Sequence, residues 1–138
     1  MMAYVDSSVL LRVILGRKNR LREWRSVETG VASVLVEVEC LRTLDRLLLR
    51  TKFSDEELAS RREAVYRLTE EMEIIETSSA VLARASQPLP TPLGTLDAIH
   101  LASAMMWREQ EAGEVVMATH DDALGMAARA VGFRVVGI

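Results

Sequence analysis

Short apolar runs alternate with amphipathic stretches from one end of the chain to the other. Residues 2–5 (MAYV) read as a strand, and residues 7–15 as a helix stopped at Gly16. A second short helix is predicted over 21–28, stopped by Gly30, and a brief strand over 31–33. Across 34–50, Leu35, Val38, Leu41, Leu44 and Leu48 recur at spacings of three and four, the mark of one apolar helix face. Ser54 followed by Glu57 makes a capping box for a helix running to about residue 71. A strand over 72–76 and a helix over 78–86 follow. The stretch "QPLPTPLGT", residues 87–95, holds all three prolines and reads as a loop. Thr95 is expected to cap a helix running to about residue 111. A strand over 114–118, a helix over 121–131 and a strand over 133–136 complete the pattern.

Strands that alternate with helices, and are themselves apolar on both faces, imply a parallel sheet covered on each side. Such sheets place their sites beyond the carboxyl ends of the strands, where strand order reverses. The residues at those ends are therefore the first candidates for chemistry.

The 138 residues suffice for one domain, residues 1–138, with a substantial core, and the 49% apolar content excludes a disordered chain. No apolar run approaches the roughly 20 residues that cross a bilayer. Asp6 interrupts the first apolar run and no basic segment precedes it, so no secretory leader is expected. Cys40 is the only cysteine, which makes the cytoplasm the expected compartment and a buried structural thiol its expected role. Net charge is −3, yet it is unevenly spread. Residues 1–69 carry 13 Lys or Arg against 10 Asp or Glu, while residues 70–138 carry 4 against 10. The densest basic cluster is Arg17, Lys18, Arg20, Arg22 and Arg25, which is either a solvated face or a phosphate attractor.

Four acids stand out against apolar surroundings. Asp6 and Asp121 follow strands directly, and Glu39 and Asp97 sit inside apolar helical stretches. Each has an ordinary explanation. Asp6 and Asp121 could be helix N-caps, Asp97 could complement a helix dipole, and Glu39 could pair with Arg42. Together, at one edge of one sheet, they point to a site for a divalent cation, which takes oxygen ligands.

The stretches "YVDSSVLL", "SVLVEVECLR", "LDAIHLASA" and "ATHDDALGMAARAVGFRVV" resemble, in that order, the blocks of a PIN-domain ribonuclease, and most closely the VapC-type toxins of toxin–antitoxin pairs. The resemblance implies a three-layer α/β/α sandwich around a parallel sheet of order 3-2-1-4-5. It carries the family's acids onto Asp6, Glu39, Asp97 and Asp121 as metal-binding and catalytic residues. Glu37 competes with Glu39, but residues two apart on a helix point about 200° apart, so only one can face the site. Ser33 and Arg42 match the family spacing for Glu39. Asp122 competes with Asp121, and the family pattern of Thr, any residue, Asp falls on Thr119, His120 and Asp121. Ser7 and Thr119 are expected to support the carboxylates, and Arg12 and Arg42 to bind RNA phosphates. His100 is expected to be a neutral histidine packed in an apolar helix, and His120 is given no role.

The chemistry implied is hydrolysis of RNA by a water activated on Mg²⁺ or Mn²⁺, leaving 5′-phosphate and 3′-hydroxyl ends. The partners implied are an RNA, structured RNA such as tRNA included, a VapB-type antitoxin and a second copy of the chain as a homodimer, with no membrane. An antitoxin groove is expected along Leu10, Leu11, Ile14, Leu15 and the apolar side of 34–49. "LASAMMW", residues 101–107, is richer in Met, Ala and Trp than one core stripe requires and is either a dimer face or, equally, core packing. The rival reading is a non-catalytic PIN-like scaffold that binds RNA or protein. A doubly wound phosphatase or signalling domain would use a lysine near its later strands, and no lysine occurs after Lys52.

Overall fold

The structure, a computed structural model, describes residues 1–51 and 53–138. Strands β1 (Met2–Val5), β2 (Thr29–Ser33), β3 (Glu73–Ile75), β4 (Val115–Ala118) and β5 (Val135–Val136) form one parallel sheet in the order β3-β2-β1-β4-β5. This is the expected 3-2-1-4-5 order. The central pair β1 and β4 is in register from Met2 opposite Val115 to Val5 opposite Ala118.

Alternation along the strands divides the core into two layers. Ala3, Val5, Val116 and Ala118 face α1 (Ser7–Ile14), α2 (Leu35–Arg50) and α3 (Asp55–Glu70). Tyr4, Val115 and Met117 face α5 (Thr95–Gln110) and α6 (Asp122–Ala130). The short helix α4 (Ser79–Ala85) packs against α5 through Val81, Ile99 and Ala102. The result is a three-layer α/β/α sandwich.

Several boundaries differ from the sequence reading. The segment predicted as a helix over 21–28 is a 3-10 turn, Arg22–Ser26, in which no residue is buried. Without a buried stripe, a stretch this short lacks the packing that sustains an α-helix. Gly30 stops no helix; it lies inside β2, where an added Cβ would come 3.3 Å from the Met72 side chain. Thr95 is the first helical residue of α5, and the cap position belongs to Gly94, which offers no side-chain bond. Ser54 does cap α3, accepting from the Glu57 backbone N–H at 3.1 Å.

The buried stripe of α2 is Val36, Cys40 and Leu44, spaced four apart, while Val38 is half exposed. Leu44 of the expected stripe is in this row, Leu35 and Leu41 pack on its flanks, and Val38 falls outside it. Cys40 is buried, and that burial pushes its thiol up to about 12, helped by the charges of Glu39 and Asp6. It is a packing residue. Met105 and Trp107 of "LASAMMW" pack on one core cluster and Met106 on another, so α5 wedged between two clusters explains its apolar excess.

Candidate functional site

Val5 and Ala118 end the two central strands side by side, and the chain leaves each of them into a helix. Asp6 and Asp121 are the residues at those exits. Asp6 caps α1, accepting from the Val9 N–H at 3.3 Å, and Asp121 caps α6, accepting from the Leu124 N–H at 2.8 Å. The ordinary explanation of both acids is therefore true. It is also incomplete for Asp6. Its Oδ1 accepts from the Ser8 hydroxyl at 2.6 Å and its Oδ2 from the Thr119 hydroxyl at 2.7 Å. The Asp6 N–H donates to the Ala118 carbonyl at 3.3 Å, locking the exit of β1 onto β4. A plain cap does not need a carboxylate that is 4% exposed and held on both oxygens.

Thr119 thus supports Asp6 as expected, and its Oγ1 also accepts from the Asp121 N–H at 2.9 Å. The serine was misassigned. Ser8, not Ser7, holds Asp6, and Ser8 also accepts from the His120 N–H at 2.9 Å. The first turn of α1 carries Ser8 back over its own cap, whereas Ser7 makes no side-chain bond among the described residues.

Glu37 and Glu39 leave α2 in different directions. Glu37 accepts from the Thr69 hydroxyl of α3 at 3.1 Å. Glu39 meets the α5 histidine His100, with 2.5 Å between Oε1 and Nε2. His100 is therefore not a spectator in an apolar helix. It is 1% exposed, and its Nδ1 lies 2.7 Å from the Tyr4 hydroxyl. With Nε2–H donating to the carboxylate, Nδ1 accepts from the tyrosine. The spacing to Asp97 did place it on the acid-bearing face, but the polar partners that claim it come from β1 and α2. Arg42 does not pair with Glu39; it bonds Asp45 at 3.1 Å and is largely exposed. Arg12 donates to the Asn19 carbonyl at 3.1 Å.

The electrostatics show that the acids share one field. Burial raises the Asp97 pKa, the charge of Asp121 raises it further, and Asp6 and Glu39 add to it against the opposing effect of His100. Asp6 is raised by burial, against the hydrogen bonds of Ser8 and Thr119. Burial lowers His100, but its bond to Glu39 and the charges of Glu39, Asp6 and Asp97 outweigh that, and its pKa is raised. Asp97 lies in the first turn of α5 and accepts no hydrogen bond among the described residues. Asp122 is the first residue of α6, and Asp121 is the one that caps it.

All four candidate ligands are carboxylates. Asp121 Oδ2 and Glu39 Oε2 also lack hydrogen-bond partners among the described residues. Such a donor set fits a hard divalent cation. Among the described residues, no three His, Cys, Asp or Glu side chains form a ready-made metal cage.

Leu10 and Ile14 of the expected groove are buried in the core and offer no free surface. Leu11, Leu15 and Leu41 are partly buried against the same cluster, and Leu49 is exposed. No helix of the described residues is long and apolar enough to cross a membrane.

No curated protein matches the chain in sequence. Its fold is similar to that of a toxin–antitoxin complex from Klebsiella pneumoniae, at 16% identity and a TM-score of 0.66, covering 99% of this chain and 98% of that one. It is similar to PAE2754 from Pyrobaculum aerophilum, at 16% identity and a TM-score of 0.64, covering 92% and 84%. It is also similar to VapBC-1 from nontypeable Haemophilus influenzae, at 13% identity and a TM-score of 0.61, covering 98% and 96%. The PIN domain family model matches residues 3–130. With nearly the whole sandwich inside that match, from the first strand to the end of α6, the chain belongs to the PIN domain family.

Proposed function

We propose that this chain is a metal-dependent endoribonuclease and the toxin of a toxin–antitoxin pair, built as a single PIN domain over residues 1–138. The observation that carries the reading is the shared field of Asp6, Glu39, Asp97 and Asp121 at the point where strand order reverses. Four acids beside one another are costly unless something positive offsets them. Membership of the PIN family and the likeness to toxin–antitoxin structures support the same conclusion.

Asp6, Asp97, Asp121 and Glu39 would hold Mg²⁺ or Mn²⁺. A bound cation supplies Lewis acidity toward a water and toward the scissile phosphate. The chain's own groups supply the rest. Ser8 and Thr119 fix both oxygens of Asp6. His100, braced by Tyr4, fixes Glu39. Asp97, the acid with no hydrogen-bond partner among the described residues and a raised pKa, is suited to accept the proton of the attacking water. Water attacks phosphorus, the 3′-oxygen leaves and takes up a proton, and the products carry 5′-phosphate and 3′-hydroxyl ends.

The expected antitoxin, of the VapB type, has a basic side chain to offset the acids and an apolar segment for the exposed side of α1 and α2. The toxin is expected to pair with a second copy of itself and to act in the cytoplasm. End-group analysis of digested RNA tests the chemistry. Fragments with 5′-phosphate ends support it, and 2′,3′-cyclic phosphate ends contradict it, because those require attack by the ribose 2′-oxygen in place of water.

A further inference from the structure

Two glycines make room for the same short segment, residues 136–138. Gly125 lies inside α6, where glycine weakens a helix. A Cβ at that position would collide with the Ile138 side chain. Gly137 follows β5 with a φ of +103°, a conformation that residues with a Cβ disfavour. A Cβ there would also collide with the Thr119 carbonyl oxygen. Without those two side chains, residues 136–138 lie directly against the chain that leaves β4.

That chain is the acid-bearing turn Thr119, His120, Asp121, and the segment holds it at three points. The Thr119 N–H donates to the Val136 carbonyl at 3.1 Å. His120 Nδ1 donates to the Gly137 carbonyl, which can only accept, at 2.6 Å. Ile138 packs over Gly125, in the first turns of the helix that Asp121 caps. From the opposite side the His120 N–H donates to Ser8, and Thr119 Oγ1 joins Asp6 to the Asp121 N–H. The turn is thus gripped between α1 and residues 136–138. Away from the turn, Gly137 and Ile138 line a cavity of about 470 Å³ together with His120, Lys18 and Arg20, and Ile138 is 46% exposed. Its packed half is the half that faces α6.

An edge strand needs only its backbone ladder. The histidine bond and the two close approaches at glycine go beyond what pairing β5 to β4 requires. We propose that residues 136–138 are a strap that fixes the turn carrying Asp121 into the carboxylate cluster, with His120 and Ile138 as positioning residues for that acid. The proposal rests on the metal-site reading of the four acids. Glu39, on the other side of the cluster, is positioned separately by His100.

Binding of Mn²⁺ to the full chain without RNA, followed by the paramagnetic resonance signal of the free ion, tests it. Circular dichroism melts of each variant set a temperature at which all of them are folded. His120→Leu and Ile138→Gly are each expected to weaken Mn²⁺ binding at least ~5-fold, as loss of a group that orients a ligand does. His120→Asn, whose amide N–H can stand in for Nδ1, is expected to bind close to the native affinity. In an Asp121→Asn background, His120→Leu is expected to add little, because the acid it positions is already lost. In a Glu39→Gln background it is expected to keep its full effect, because His100 positions that acid. Native affinity in both His120→Leu and Ile138→Gly would overturn the strap and leave the metal site standing. An equal effect of His120→Leu in the two backgrounds, or a loss in His120→Asn as large as in His120→Leu, would mean general loosening and would overturn the positioning role. A native chain that binds no Mn²⁺ would overturn the metal-site reading together with the strap.

Discussion

Glu39 and His100 are 61 residues apart in the chain and share a hydrogen bond of 2.5 Å in the structure, joining α2 to α5 across one end of the sheet. Tyr4 of β1 completes the chain from the other side of the imidazole. Three elements thus meet at one buried ring. Tyr4→Phe is expected to cost about 1 kcal/mol, the usual worth of one hydrogen bond. His100→Ala is expected to cost more than ~2 kcal/mol, because it opens a cavity and removes the imidazole from both the Tyr4 hydroxyl and the Glu39 carboxylate. Urea denaturation of metal-free protein measures both. Wild-type stability in both variants would mean that the ring holds nothing in place.

The same cluster sets a pH dependence. His100 has a raised pKa, so its contribution is complete below its ordinary 6.5 and is lost as pH rises through the raised value. Asp6 and Asp97 are also raised, from 3.8, so the folded state binds their protons more tightly than the unfolded chain does. Their penalty appears as pH rises through their folded values. Both effects have the same sign. Metal-free protein is expected to be more stable at pH 6 than at pH 8 in thermal melts. The opposite slope would contradict the shared field of the acids.

Asp97 illustrates a trade between stability and function. Neutralising it removes repulsion from Asp121, Asp6 and Glu39 without breaking any hydrogen bond among the described residues. Asp97→Asn is expected to raise the melting temperature of metal-free protein by a few degrees, equivalent to about 1 kcal/mol or less. Mn²⁺ is expected to stabilise the native chain and to stabilise this variant less. A variant melting below the native chain without metal would show that the charge of Asp97 is already compensated.

Ser8 and Ser7 separate support of the site from mere proximity. Ser8 links Asp6 to the His120 backbone, and Ser7 makes no side-chain bond among the described residues. Ser8→Ala is expected to reduce RNA cleavage at least ~10-fold, in the range for loss of a group that orients a ligand. Ser7→Ala is expected to stay within about 2-fold of wild type. Initial rates at saturating Mn²⁺ measure both, and the reverse ranking would contradict the geometry of the α1 turn.

The alternation of strands and helices, the sheet covered on both faces and the conspicuous acids were legible in the sequence because each leaves a local mark, whereas the sheet order came only with the family resemblance. An apolar run stopped by Asp6 or Asp121 signals a strand exit, and Glu39 and Asp97 are conspicuous in apolar helices. What stayed hidden depended on rotation about a helix axis or on partners distant in sequence. The spacing of Leu35, Val38, Leu41, Leu44 and Leu48 found Leu44 but missed the centre of the buried row, Val36, Cys40 and Leu44, and included the exposed Val38. Ser7 and Ser8 are indistinguishable until the turn of α1 is built. The role of His100 was invisible because Tyr4 and Glu39 come from other elements. The basic cluster around Arg20 gave no sign that the loop would fold beside His120.

The central claim is that Asp6, Glu39, Asp97 and Asp121 form one metal-dependent site for cutting RNA. The direct measurement is the initial rate of RNA cleavage over a titration of Mn²⁺, for the native chain, for Asp6→Asn, Glu39→Gln, Asp97→Asn and Asp121→Asn, and for Glu37→Gln as the control. The native rate is expected to rise with Mn²⁺ and vanish with EDTA. Each of the four site variants is expected to fall at least ~100-fold, with Glu37→Gln near wild type. Cleavage that survives EDTA, or a Glu37→Gln loss larger than that of Glu39→Gln, would contradict the account.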